Sequence, residues 1–176
     1  MKLENLLLVA GSGRKSGKTT VVCKIIEQFR HLGIISVKIS PHFHDPSDGL
    51  VPVTEKSGYE IFEETNSNTS KDSSRMLQSG AKKVYFIQSA EESLNDAFSD
   101  VYMNIAPGKP VICESPALIN YLEPGVFVIM ISTSGSNLKN IKKLRRFPHL
   151  EYTCEDILTT THLPIDFVEG RWKSLK

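Results

Sequence analysis

Residues 5–40 read as a strand, a glycine-rich turn, a helix and a second strand in unbroken succession, and this unit constrains the fold more than any other part of the chain. NLLLVA (5–10) is a continuous apolar run, the pattern of a strand covered on both faces. A helix is predicted from Lys18. Val21, Val22, Ile25, Ile26 and Phe29 fall on one of its faces, and Lys24, Glu27, Gln28 and Arg30 fall largely on the other. Gly33 supplies a helix stop, and IISVKIS (34–40) follows as a strand. A strand–helix–strand crossover this short implies a parallel sheet.

The alternation continues. Strands are predicted at KVYFIQS (83–89), KPVICES (109–115) and GVFVIMIS (125–132), and YEIFEET (59–65) reads as a strand or hairpin arm. Helices are predicted at SSRMLQSGA (73–81), AEESLNDAFSDVYMNI (90–105) and NLKNIKKLRRF (137–147). Leu94, Ala97, Phe98 and Val101 share an apolar face. The stretch 41–58, with three prolines and three acidic groups, reads as a long loop, and NSNTSKDSS (66–74) as a polar connection. CEDILTTTHL (154–163) is assigned as a terminal strand. With no repeat and no convincing linker, the expectation is one α/β domain over 1–176, a mostly parallel sheet with helices on both faces.

Composition excludes several classes. A net charge of +1 gives no bulk attraction to nucleic acid or membrane. The three cysteines are too scattered for a disulfide framework or a zinc site and suit a reducing compartment. The apolar run after Glu4 is too short for a signal peptide, so a soluble, cytoplasmic protein is expected.

GSGRKSGKTT (11–20) lies at the first strand–helix junction. A phosphate-binding loop of the form G-x-x-x-x-G-K-[ST] would place its first glycine at 12, where the chain has serine; Gly11 and Gly13 flank that position. The physical requirement is still met. Backbone amides and a helix start can bind phosphates, Lys18 can reach the β- and γ-phosphates, and the Thr19 hydroxyl can ligate Mg²⁺. The candidate nucleotide-binding set is Gly13, Arg14, Lys15, Ser16, Gly17, Lys18, Thr19 and Thr20. The alternative is a tight turn that happens to carry lysines. A dinucleotide-binding G-x-G-x-x-G fails because position 16 is serine and the second strand ends in KIS.

Such a site needs an acidic residue at the end of an apolar strand beside the loop. Glu114 after Val111, Ile112 and Cys113 meets that need; an exposed strand-end glutamate is the alternative. Lys38, His42 and His44 in KISPHFHDPSD lie at the same carboxyl edge, as a phosphate- or substrate-contacting loop, a two-histidine metal site, or ordinary loop residues. In KDSSR (71–75), Asp72 or Ser73 is a candidate helix N-cap. Lys139, Lys142, Lys143, Arg145 and Arg146 form a basic helix face without the aromatics that bind single strands, so nucleic acid is not the expected partner. No N-K-x-D guanine signature is present.

The wide Gly11-to-Gly17 spacing resembles dethiobiotin synthetase and related P-loop proteins. KTTVVCKIIEQF, GIISVKISPHFHD and KDSSRMLQSGAKKVYFIQS resemble the molybdopterin-guanine dinucleotide biosynthesis protein B family more closely, over roughly residues 6–114. The stretch between His44 and Lys71 departs from that family's compact acidic segment. The resemblance implies a P-loop NTPase-like three-layer fold, GTP or ATP bound with Mg²⁺, and slow hydrolysis with Lys18 and Glu114 in catalytic roles and Thr19 and Glu114 at the metal. It implies a nucleotidyltransferase acting on molybdopterin as partner, and possible homodimers. Asp72 and Arg75 would face the substrate or a second subunit. The competing readings are an ATP-dependent kinase or ligase of the dethiobiotin synthetase type, with Lys38 and the His42–His44 loop at the acceptor, and a non-enzymatic switch.

Overall fold

The computed structural model of the chain describes residues 1–13, 15–132 and 138–175, excluding the side chains of 138–140. Its centre is an eight-stranded sheet. Numbered in chain order, the strands are β1 (Lys2–Gly11), β2 (Ile35–Ser40), β3 (Leu50–Lys56), β4 (Tyr59–Glu64), β5 (Lys83–Ser89), β6 (Val111–Glu114), β7 (Glu123–Ile131) and β8 (Leu150–Thr153). Their spatial order is β3-β4-β5-β2-β6-β1-β7-β8. The six strands from β5 to β8 run parallel, while β4 is antiparallel to both β5 and β3. A separate two-stranded hairpin, β9 (Ile165–Val168) and β10 (Arg171–Ser174), ends the chain.

The continuous apolar strands are continuous because both sheet faces are covered. Leu6, Leu8 and Ala10 of β1 point to a core completed by Val37, Ile39, Cys113, Ile129 and helix α3 (Leu94–Tyr102). Leu7 and Val9 point to the other core, with Ile112, Val128 and Met130 under helix α1 (Lys18–Gln28) and Met76 of helix α2 (Asp72–Gln78). Val21, Val22, Ile25 and Ile26 are fully buried, each stabilising the fold by about 1.5–3 kcal/mol. Leu94, Ala97, Phe98 and Val101 of α3 are buried as their spacing predicts. α1 is capped at Phe29, and Gly33, in the left-handed backbone at φ 66°, ends the 3-10 turn Arg30–Leu32 that follows it.

Two expectations fail. The long loop assigned to 41–58 contains β3, which pairs with β4 across a turn at Gly58 (φ +90°). β3 is an edge strand exposed along most of its length, so it carries no alternating burial pattern, and Pro52 interrupts it where an edge tolerates proline. The strand assigned to 154–163 is instead helix α5 (Cys154–Thr159) after β8. Its start is fixed by a capping box: the Thr153 hydroxyl accepts from the Asp156 backbone N–H, and the Asp156 carboxylate accepts from the Thr153 N–H. The basic helix is present as α4 (Leu138–Leu144). Among the described residues no helix is long and apolar enough to cross a membrane.

Candidate functional site

β1 is an interior strand of the sheet with β6 on one side and β7 on the other, Val9 level with Glu114 and Gly11 level with Met130. The chain leaving β1 therefore emerges between two parallel neighbours at their carboxyl ends. Ser12 continues the strand for one more step: its N–H donates to the Met130 carbonyl at 2.9 Å and its hydroxyl accepts from the Ser132 N–H at 2.8 Å. The loop then turns back on itself. The Ser16 hydroxyl donates to the Gly13 carbonyl at 3.0 Å, and the Lys18 ammonium donates to the same carbonyl at 2.6 Å and to Ser16 Oγ at 3.2 Å. Gly17 enters the helix in the left-handed region, φ 87°, which a side chain would strain. Gly11 is needed for space: a Cβ there would lie 2.4 Å from Ser16 Oγ and 3.0 Å from the Met130 carbonyl oxygen.

Three elements distant in sequence meet beside this loop. Glu114 is 1% exposed, so the alternative of a solvated strand-end glutamate is excluded. Its Oε2 accepts the Thr19 hydroxyl at 2.9 Å, and its Oε1 accepts the Lys38 ammonium at 2.5 Å. Lys38 comes from the neighbouring strand β2, whose register sets it level with Glu114. The same ammonium lies 3.2 Å from Asp72 Oδ2 at the start of α2. Burial pushes the Lys38 ammonium toward its neutral form, but the Glu114 and Asp72 carboxylates outweigh it and hold its pKa above the usual lysine value. Lys18 goes the other way: burial lowers it, and the attraction of Glu114 does not compensate.

Lys18, Thr19, Lys38, Asp72 and Glu114 thus form one contiguous group. Gly13, Lys15, Ser16 and Gly17 line the adjoining loop, with Lys15 exposed in a left-handed conformation, φ 57°. Arg14 lies outside the described residues. Thr20 is next to the group but opens onto a groove between α1, α2 and α5, shared with Cys23, Arg75 and Ser79. Arg75 touches the group's border, 3.9 Å from Asp72 Oδ1. Asp72 is not an N-cap: Lys71 holds that position without a side-chain cap, and Asp72 is the first helical residue. Ser73 is not a cap either; its hydroxyl donates to the buried Glu64 at 2.7 Å.

His42 and His44 stand apart. Their rings lie 6.1 Å apart, centroid to centroid, in the exposed segment after β2. Among the described residues neither imidazole is hydrogen-bonded to the Lys38–Glu114 pair, and no group of three or more His, Cys, Asp or Glu could hold a metal ion. The segment is positioned by Gln88, whose side-chain amide accepts from the His44 N–H at 2.7 Å and donates to the His44 carbonyl at 3.0 Å. Sequence reasoning missed Gln88; the signal is a polar residue near the end of the apolar run KVYFIQS. It also missed Cys154, whose sulfur would lie 3.5 Å from a Cβ on Gly17.

On the basic face, Arg145 is committed to a bidentate pair with Glu151, at 2.7 and 2.8 Å, while Lys142, Lys143 and Arg146 are exposed. The Lys139 side chain lies outside the described residues.

Comparisons with protein-family models, with curated proteins and with solved structures give no match to this chain.

Proposed function

We propose that the chain binds a nucleoside triphosphate together with Mg²⁺ at the 11–20 loop, as a P-loop protein. The observation that carries the reading is the Thr19–Glu114 contact: a hydroxyl at a helix start and a buried carboxylate from the adjacent parallel strand, held 2.9 Å apart beside a lysine folded over a glycine loop. Burying a carboxylate is costly unless it is paired, and the Glu114 partners, Thr19 and Lys38, both lie at the carboxyl edge beside the loop.

The donor set fits a hard divalent cation. Thr19 Oγ1 and the Glu114 oxygens are hard donors, and a carboxylate with two partners has acceptor capacity left. Thr19 and Glu114 would hold Mg²⁺, directly or through water, with phosphate and water oxygens completing its shell. Bound there, the cation would neutralise phosphate charge. The chain's own residues do the rest. The loop amides and Lys18 bind the phosphates, Gly11 and Gly17 let the backbone approach, and the burial of Glu114 keeps the carboxylate oriented.

The resemblance to the molybdopterin-guanine dinucleotide biosynthesis protein B family makes GTP the first candidate, slow hydrolysis the expected activity, and a cytoplasmic nucleotidyltransferase acting on molybdopterin the proposed partner. A second reading, phosphorylation or ligation of a small acceptor with ATP, is supported by the cationic Lys38 and the exposed His42–His44 segment beyond the same sheet edge.

Calorimetric titration of GTP and of ATP, each with Mg²⁺, into the wild type and Lys18→Ala tests the proposal. Binding to the wild type that is lost in the variant is expected. No binding of either nucleotide to the wild type at millimolar concentration overturns it, and turnover only with a small acceptor favours the second reading.

A further inference from the structure

We propose that Asp72 is a positioning residue for the cation site, taking over the Lys38 ammonium when a divalent cation occupies the Thr19–Glu114 oxygens. The inference rests on the nucleotide-and-Mg²⁺ reading above and adds a residue and a motion to it. Lys38 Nζ already touches both acids, at 2.5 Å from Glu114 Oε1 and 3.2 Å from Asp72 Oδ2. In this arrangement the single charge of Glu114 is matched by Lys38. A divalent cation on the same carboxylate meets the ammonium a few ångströms away, and like charges at that separation repel.

Lys38 has little access to bulk water: its side chain is 15% exposed, level with Glu114 of β6 and beside Asp72 of α2. It needs a second anion within reach. Asp72 is that anion. Its carboxylate is 44% exposed, and its nearest other cation, Arg75, is 3.9 Å away, so it has capacity for a full pair with Lys38. Helix capping does not explain its position, since the cap is Lys71. The exchange moves no backbone out of register. It shifts one ammonium from a shared position toward Asp72, which ties the start of α2 to the state of the cation site.

The test is a Mg²⁺ titration of N-methylanthraniloyl-GTP and -ATP binding by fluorescence. Asp72→Asn is expected to raise the Mg²⁺ concentration for half-maximal enhancement by about tenfold. Lys38→Met is expected to lower it below the wild type, and the double variant to behave as Lys38→Met. In the wild type, Mg²⁺ with nucleotide should also slow amide hydrogen exchange in 72–75, and Asp72→Asn should abolish that slowing. A wild-type Mg²⁺ requirement in Asp72→Asn, or an undiminished Asp72→Asn effect on the Lys38→Met background, overturns the inference and leaves the nucleotide reading standing. If the wild type binds neither analogue, both fall together. Asp72 is half-exposed, so Asp72→Asn decides the question alone should Lys38→Met fail to fold.

Discussion

Thr19, the second residue of α1, donates its hydroxyl hydrogen to Glu114, the last residue of β6, at 2.9 Å in a fully buried contact. The bond joins the end of one strand to the start of a helix that belongs to its neighbour. Thr19→Ala removes the donor and leaves a carboxylate oxygen buried without it. A loss of about 1–3 kcal/mol in unfolding free energy is expected, measured by urea denaturation. Thr19→Ser, which keeps the hydroxyl, should recover most of the loss.

Gly11→Ala should be damaging although its backbone is not left-handed. The added methyl meets Ser16 Oγ at 2.4 Å, Lys18 Cγ at 2.9 Å and the Met130 carbonyl oxygen at 3.0 Å. The carbonyl belongs to β7 and cannot give, so the loop must move. We expect about 1–3 kcal/mol of destabilisation and nucleotide affinity reduced at least tenfold, read by thermal unfolding and calorimetry.

Cys154 should be the most reactive thiol of the native protein. Cys113 is fully buried and Cys23 nearly so, and burial raises both thiols above their usual pKa, which suppresses the thiolate. Cys154 is exposed. Iodoacetamide followed by peptide mass mapping should label Cys154 first. Because its sulfur borders Gly17, saturating nucleotide should slow that labelling severalfold, and equal labelling rates would count against nucleotide binding at the loop.

Acid should loosen the β3–β4 hairpin from α3. Asp100 accepts from the Lys56 ammonium and from the Tyr59 hydroxyl, both at 2.6 Å, and these bonds hold its carboxyl below the usual aspartate value. A folded-state pKa below the unfolded one contributes stability that is present above the unfolded value, near 3.8, and is lost as pH falls through the folded value. The stability-against-pH curve should therefore fall below about pH 4, and Asp100→Asn should flatten that limb. The Asp100 side chain is 34% exposed, so the effect should shrink in high salt.

The parts of the fold that were legible in the sequence are those whose pattern reports burial. β1 from Leu6 to Ala10 and β7 from Val126 to Ile131 are continuously apolar because helices cover both sheet faces, and α1 and α3 show their buried stripes at helical spacing. β3 gave no such signal, because an exposed edge strand has little buried face to display. The strand assigned over α5 overlooked that Thr153 and Asp156 have the spacing of a capping box. The positions of Glu114 at a strand end and of Lys18 and Thr19 at a helix start were legible, because the apolar strand and the helical stripe that fix them show in the pattern. The pairing of Lys38 with both Glu114 and Asp72 was not, because it depends on β2 and α2 converging on β6 in space.

The sheet order also has a consequence for synthesis. β1 is made before the other strands of this sheet, yet its two neighbours are β6 and β7, and Leu6 finds its partner only when Val111 has been made. Until then the apolar run Leu6–Ala10 of that strand waits without pairing. The backbone anchor of Ser12 waits longer still, for Met130 and Ser132. Nascent chains that end before that point lack the frame of the loop altogether, and they expose a segment that chaperones of newly made protein are suited to cover.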